Sequence, residues 1–132
     1  MIDHVSIGTK DFQKATGFYD AVLEALGYKR LMTEDVPGGQ MAGYGDKYPA
    51  FWVQSVSSGP DDQPVGQAFG AHVCFVAPNR AAVQAFHEAA LRLGARDNGA
   101  PGLRPHYHPN YFGAFIVDPD GWRIEACCHQ PE

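Results

Sequence analysis

Apolar residues recur along the chain with two spacings, and each spacing predicts one kind of element. Residues 2–8 and 71–76 alternate apolar and polar positions, which is typical of a strand with one face in the core. Each stretch is followed by apolar residues three or four apart, at 12–26 and at 80–93, as in an amphipathic helix. The pattern therefore predicts a strand followed by a helix at two places in the chain.

Signals for the helix ends agree with this spacing. Asp11 and Asn79 stand just before the predicted helices, and both residue types cap helix N-termini with a side-chain oxygen. Gly27 and Gly94 stand just after them, where glycine commonly ends a helix. Further strands, bounded by glycine- and proline-rich turns, are predicted at 28–33, 40–44, 49–56, 111–117 and 122–128.

The two halves of the sequence repeat one another. His4 and His72 differ by 68 positions, and so do Asp11 and Asn79. Such a repeat is a strong guide to the fold, and the unit here is strand–helix–strand–strand–strand. One unit cannot bury its helix and close its sheet alone, whereas two units can. The expected fold class is therefore α+β, built from paired βαβββ modules.

Length and composition set the boundaries of these modules. A chain of 132 residues has the size of one ordinary domain. The polar, glycine- and proline-rich stretch after residue 56 (SSGPDDQPVG) is typical of a connector. We expect a single domain, 1–132, with modules at about 1–57 and 70–129 and a linker at 58–69.

Four polar residues fall at matching places in the repeat. His4 and His72 lie early in the first strand of each half, and Gln54 and Glu125 lie in the last strand, all on the face away from the predicted core. If the halves face each other, two imidazoles, a carboxylate and an amide oxygen converge in a cup. This set suits one divalent transition metal, Zn, Ni, Fe, Mn or Co. The alternative for each histidine alone is an ordinary surface or core histidine.

The stretch 99–110 (GAPGLRPHYHPN) is predicted to be a long loop, and long loops are often functional. It is expected to cover the cup, with Tyr107 or His106 as an acid or base. An arginine there can bind a carboxylate or phosphate. The alternative is a solvated loop stiffened by its prolines. Substrate contacts are expected from three residues, Arg104, Tyr111 and Trp52.

Charge and cysteine content narrow the possible partners. The net charge is −5, which gives no sign of a nucleic-acid surface. No apolar run approaches the roughly 18 residues of a membrane span, and the first residues do not resemble a signal peptide. We expect a cytoplasmic protein with a small-molecule substrate and no nucleic-acid or membrane partner.

The three cysteines make a poor disulfide framework, because their number is odd and two of them are adjacent. Reduced thiols are therefore expected. Cys74 shares the strand face of His72, and Cys127 shares that of Glu125, so both cysteines can line the cup.

The most distinctive segments are HVSI at 4–7, FY at 18–19, HVCF at 72–75 and FIVDPDGWRIE at 115–125. Together they resemble the vicinal oxygen chelate superfamily, which includes glyoxalase I, bleomycin-resistance proteins and extradiol dioxygenases. The resemblance covers essentially the whole chain, and its most specific part is a DPDG turn feeding a strand that ends in glutamate. It implies paired modules around a cup-shaped mixed sheet, a homodimer, and a metal at His4, Gln54, His72 and Glu125.

The activity that the resemblance implies is that of a divalent-metal-dependent, glyoxalase-like lyase or isomerase, with Glu125 among its catalytic residues. Bacterial glyoxalase I enzymes usually carry a catalytic glutamate where Gln54 stands, whereas a glutamine there is similar to methylmalonyl-CoA epimerase. Two alternatives stay open. One is a small extradiol-type dioxygenase, for which two histidines and a glutamate suffice. The other is a metal-free binding or resistance protein that sequesters a small molecule.

Overall fold

The computed structural model describes residues 1–56, 64–66 and 70–132 of the chain. Its elements follow the order βαβββ in each half. The elements of the first half are β1 (Val5–Thr9), α1 (Phe12–Glu24), β2 (Lys29–Val36), β3 (Gly39–Gly45) and β4 (Pro49–Ser55). Those of the second half are β5 (Val73–Val76), α2 (Arg80–Arg92), β6 (Arg96–Leu103), β7 (Phe112–Val117) and β8 (Arg123–Cys128). The α+β class and the paired βαβββ modules are thus confirmed, while the predicted linker, 58–69, lies outside the described residues except for 64–66.

Each half forms its own four-stranded mixed sheet. The strand orders are β1-β4-β3-β2 and β5-β8-β7-β6, so the first strand of each half pairs with the last. These two pairings, β1 with β4 and β5 with β8, are parallel, and the others are antiparallel. A parallel pair needs a crossover connection, and α1 or α2 lies in that connection. The helices therefore stand where the repeat predicted them.

The predicted helix caps form as expected. The Asp11 side chain accepts a hydrogen bond from the Lys14 backbone N–H at 3.0 Å. The Asn79 side chain accepts one from the Ala82 backbone N–H at 2.8 Å. Both bonds satisfy backbone donors that have no partner inside the helix. Neither helix, at 13 residues each, is long and apolar enough to cross a membrane, and the described part of the chain contains no helix that is.

One apolar core includes residues from both halves. It joins the inner faces of α1 and α2, which contact each other, to the buried faces of β3, β4, β7 and β8. The predicted core residues Ile7, Ile124 and Ala126 are buried, but burial does not alternate along β8, where Glu125 and Cys127 are buried as well. Phe51 of the first half meets Phe75 of the second edge to face, with ring centroids 5.0 Å apart.

Hydrogen bonds also join the halves, and three of those in the described residues come from aromatic side chains. The Tyr19 hydroxyl donates to Asp118 Oδ2 at 2.5 Å, and both residues are buried. The Trp122 ring N–H donates to the Gly8 carbonyl at 2.8 Å. The Tyr28 hydroxyl donates to the Val76 carbonyl at 3.0 Å. Polar contacts at both ends of the junction therefore fix how the two sheets face each other.

The structure corrects the predicted loop at 99–110. Residues 99–103 belong to β6, which pairs with β7 at Gly99, Gly102 and Leu103. The glycines and Pro101 suggested a loop, but β6 is an edge strand, where proline is tolerated. The pairing of β6 with β7 contains two register shifts, which accommodate the irregular backbone of β6. The loop is therefore limited to residues 104–111.

The first strand of each half begins later than predicted. β1 starts at Val5 rather than residue 2, and β5 starts at Val73 rather than residue 71. His4 and His72 thus lie immediately before their strands. Each first strand begins where it starts to pair with the last strand of its half. This pairing is long-range, so the local alternation of apolar and polar residues does not show where it starts.

Asp118 should make stability depend on pH. Burial raises its pKa from 3.8 to about 6, against the opposing effect of the hydrogen bond from Tyr19. The folded state then holds this proton more tightly than the unfolded state does, so its contribution is complete below pH 4. It is lost as the pH rises through about 6. We expect the free energy of unfolding to fall by about 2–3 kcal/mol over that window.

Urea unfolding of wild type and Asp118→Asn at pH 4 to 7 checks this expectation. An amide can keep both backbone bonds that Asp118 Oδ1 accepts, from Asp120 and Trp122, so the variant should fold and lose this slope. Asp46→Asn, in an exposed turn, is the control and should keep the slope. An unchanged slope in Asp118→Asn would contradict the assignment.

Candidate functional site

Glu125 lies at the centre of the candidate site. The parallel register of β5 with β8 sets Cys74 beside Glu125, and His72 stands two residues before Cys74. His72 Nε2 lies 3.0 Å from Glu125 Oε2. The Glu125 side chain is 3% exposed, whereas that of His72 is 49% exposed. A nearly buried carboxylate is thus paired with an imidazole that reaches solvent.

Tyr111 holds the other oxygen of this carboxylate. Its hydroxyl donates a short hydrogen bond to Glu125 Oε1. Burial, and then the hydrogen bond to Glu125, raise the pKa of Tyr111, so the phenol stays protonated and can only donate to the carboxylate. Tyr111 therefore contacts Glu125, and its contact with substrate stays a prediction.

The loop 104–111 brings aromatic rings over this pair. Tyr107 packs edge to face on Tyr111 with centroids 5.2 Å apart, and His106 lies 4.2 Å from Tyr107. Tyr107 is 63% exposed. His129 also packs edge to face on Tyr111, with centroids 4.9 Å apart. Tyr107 and His106 therefore stand near the site but reach Glu125 only through Tyr111.

Arg104 lies at the rim of the same sheet face. Its guanidinium donates to the Ala100 carbonyl at 2.8 Å and lies 5.5 Å from the centroid of the Phe115 ring. Phe115 in turn stands 6.5 Å from His72. Arg104 is thus anchored close to the His72–Glu125 pair, where a positive charge can meet an anionic ligand.

Two thiols adjoin Glu125 as well. Cys74, Glu125 and Cys127 each offer a ligand atom, and these three atoms lie within 4.8 Å of one another. Burial, and then the charge of Glu125, raise the pKa of the Cys74 thiol. Among residues 1–56, 64–66 and 70–132, no other group of three or more His, Cys, Asp or Glu side chains meets this distance.

His4 does not join this group within the chain. Its Nδ1 lies 2.5 Å from Asp3 Oδ1, and its side chain is 53% exposed. The chain therefore brings together His72 and Glu125 of the predicted ligand set, whereas His4 belongs to the other sheet.

Gln54 occupies an unexpected place in the repeat. In the first half Ser6 pairs with Trp52 and Gly8 with Gln54, while in the second half Cys74 pairs with Glu125. Since His4 matches His72, Trp52 is the structural counterpart of Glu125. Gln54 lies two residues further along, about 13 Å from the level of His4 at the rise of a strand.

The comparisons with known proteins agree with this architecture. A family model described as the Glyoxalase/Bleomycin resistance protein/Dioxygenase superfamily matches residues 1–126. The chain belongs to this superfamily. No protein among those with curated descriptions matches it.

Solved structures of the superfamily share its fold. A glyoxalase/bleomycin resistance protein from Albidiferax ferrireducens T118 is 27% identical, with a TM-score of 0.73 and 98% of each chain covered. Glyoxalase I from Zea mays is 26% identical with a TM-score of 0.71, over 96% of this chain and 45% of that one. A domain from Frankia sp. EAN1pec, at 17% identity and a TM-score of 0.75, supports the fold alone. The chain spans about half of the maize protein.

The residues of this superfamily member fit a divalent metal in part. A carboxylate and an imidazole, with their nearest atoms 3.0 Å apart, are ordinary donors for zinc or other borderline cations. A buried carboxylate is costly without partners, and among the described residues Glu125 is hydrogen-bonded to the Tyr111 hydroxyl and the His72 imidazole. The pair can therefore accept a cation, with solvent access on the His72 side.

The sequence reasoning missed two features of the site. Tyr111 was not expected to bond Glu125, because a loop residue gives no sign of where its side chain reaches. His129, with Nε2 at 3.8 Å from Cys127 Sγ, was not singled out either. Its only sequence signal is its place two residues after Cys127, on the same strand face.

Replacing Tyr111 by phenylalanine should destabilise the metal-free protein by about 1–2 kcal/mol, because the buried Glu125 acceptor loses its donor. Urea unfolding measures this change. Tyr107→Phe removes an exposed hydroxyl of the same loop and should change stability by less than about 0.5 kcal/mol. Equal effects of the two variants would show that the Tyr111–Glu125 bond does not stabilise the fold.

Proposed function

We propose that the protein is a divalent-metal-dependent, glyoxalase-like enzyme of the lyase or isomerase type that acts on a small substrate with vicinal oxygens. The observation that carries the proposal is the His72–Glu125 pair, in which the carboxylate is 3% exposed and the imidazole 49% exposed. A hydrophobic residue at position 125 would be the less costly solution for a purely structural strand. Membership of the superfamily supports the same reading.

His72 and Glu125 are the residues of one chain that would hold the cation. Bound there, a divalent metal supplies a Lewis acid that polarises substrate oxygens. Tyr111 fixes the orientation of Glu125 through Oε1 and leaves Oε2 on the His72 side. Orienting groups of this kind typically change metal affinity or activity by about 10–100-fold.

A second copy of the chain is the proposed source of His4. β1 and β5 are both edge strands of their sheets, and the residues at their ends include exposed apolar side chains, Ile2 at 74% and Val76 at 64%. Asp3 contacts His4 Nδ1, an arrangement that typically directs Nε2 toward a metal. In such a homodimer, Trp52 stands at the place matching Glu125 and can form a wall for the substrate.

The remaining proposed roles fall to the loop 104–111. Arg104, anchored over Phe115, binds an anionic group of the substrate. Tyr107 or His106, both exposed, moves the proton that an isomerisation or lyase reaction requires. Gln54 lacks the basicity for that task, so the loop is the better source of a base.

A metal-free binding protein is the second candidate function. A largely apolar cavity of about 270 Å³ lies between the halves, and Tyr44, Phe51, Phe75 and Cys74 are among its lining residues. A cavity of this size can hold a small apolar ligand. This candidate is favoured if the protein takes up no metal.

Metal content separates these candidates. The purified protein should contain about one equivalent of a divalent transition metal per chain, or take it up on addition, and His72→Ala should lower the affinity of the His72–Glu125 site for this metal at least tenfold. Iron would favour the dioxygenase alternative, whereas zinc, nickel, cobalt or manganese favours lyase or isomerase chemistry. His87→Ala, which removes a histidine bonded to Asp97 away from the site, is the control and should keep the metal. A wild-type protein that binds none of these metals would contradict the proposal.

Mixing two inactive variants tests whether two copies share the site. If His4 comes from a second copy, His4→Ala and His72→Ala should each lose the metal bound at His72 and Glu125, and a co-refolded mixture should regain about a quarter of these wild-type sites. Half of the dimers are then mixed, and each mixed dimer has one intact site of two. Light scattering should give about twice the chain mass of 14.4 kDa. Monomeric protein, or no recovery on mixing, would refute the shared site.

A further inference from the structure

We propose that the thiols of Cys74 and Cys127, together with Glu125, bind a thiophilic divalent cation such as Zn²⁺ or Cd²⁺. The three ligand atoms lie within 4.8 Å of one another. Two thiolates and a carboxylate form a donor set that soft and borderline cations prefer. The inference rests on the proposed function only through Glu125, which both sites use.

The strand register explains why the two sulfurs meet. Cys74 pairs with Glu125, and Cys127 pairs with Val76, so the cysteines lie two rungs apart on adjacent parallel strands. Their side chains point to the same face of the sheet, which leaves the Glu125 carboxylate between them. The donor set therefore belongs to regular secondary structure rather than to a loop.

The same register disfavours a disulfide. Cys74 and Cys127 are two residues apart along the strand direction and lie on neighbouring strands, so their Cα atoms are about 8 Å apart. A disulfide can span roughly 7 Å. Two thiolates on one zinc ion, at about 2.3 Å each in tetrahedral geometry, stand about 3.8 Å apart. The observed group, within 4.8 Å, is much closer to the second arrangement.

Charge balance also favours a cation. Glu125 adds a carboxylate to the two thiols, and its contacts include His72 and Tyr111. Binding breaks the two S–H bonds, forms two metal–sulfur bonds and releases two protons. His129 stands next to the group, with Nε2 at 3.8 Å from Cys127 Sγ, and offers a fourth donor.

The third cysteine supplies a matched control. Cys128 is fully buried and belongs to the apolar core, on the face opposite Cys127. Its thiol cannot reach Glu125 without reversing the strand. Cys128→Ala should therefore leave the proposed binding intact, whereas Cys74→Ser and Cys127→Ser remove a ligand each.

The test is a titration of the metal-free, reduced protein with Co²⁺ and Cd²⁺, followed by ultraviolet and visible absorption. Wild type should develop a sulfur-to-metal charge-transfer band that saturates at about one equivalent. Cys74→Ser and Cys127→Ser should each lose most of the band and weaken binding about tenfold or more, and Cys128→Ala should not. X-ray absorption of the wild-type zinc complex should give sulfur neighbours at about 2.3 Å, independently of any variant.

His72→Ala separates this inference from the proposed function. If the thiols bind the cation, His72→Ala keeps the charge-transfer band even where its enzymatic activity is lost. Metal binding that survives both serine variants without any sulfur band, but is lost in His72→Ala, would overturn the inference and leave the proposed function standing. A wild-type protein without sulfur neighbours in the X-ray absorption spectrum would overturn it as well.

Discussion

The parallel pairing of the first strand of each half with its last is the constraint on which the site depends. A parallel pair cannot close through a tight turn, so a helix must lie in the connection. In the second half this crossover brings together His72 and Glu125, which are 53 residues apart in sequence. The same pairing sets both thiols on the face of the sheet that carries Glu125. An antiparallel arrangement of these strands would place a different set of residues beside the carboxylate.

The buried carboxylate of Glu125 determines which residues can surround it. A carboxyl side chain that is 3% exposed must find partners, because its desolvation is otherwise costly. Tyr111 reaches it across Gly113, where an added Cβ would lie 3.2 Å from Glu125 Oε1 and 3.0 Å from the Tyr111 ring. A side chain at that position would push the tyrosine and the carboxylate apart. The glycine, the phenol and the imidazole therefore form one unit, and a change in one alters the other two.

Much of the fold could be predicted from the sequence, because it depends on local signals. Short stretches of sequence are enough to recognise the helical spacing and the caps Asp11 and Asn79. Comparing such stretches reveals the internal repeat. The ladder register was not accessible in this way, and it decides that Trp52 rather than Gln54 matches Glu125. Alignment of the two last strands by residue type matched Gln54 with Glu125. This alignment differs by two positions from the one that the strand register gives. The course of residues 99–103 was missed for the same reason, since only pairing with β7 makes that glycine-rich stretch a strand.

The two halves thus share a backbone but differ in chemistry. At the places where the second half has Cys74, Glu125 and Cys127, the register puts Ser6, Trp52 and Gln54 in the first. At these matching places the first half therefore carries the His4 imidazole but no carboxylate on β4. A carboxylate does contact this histidine, but it is Asp3, which bonds Nδ1 from outside the sheet. A single imidazole does not by itself form a metal site. It can complete a set of ligands supplied by other residues, and among the described residues such a set lies in the second half. The asymmetry of the repeat is accordingly the strongest physical reason to expect that the halves work together, with the second binding the cation and the first supplying His4 and an aromatic wall.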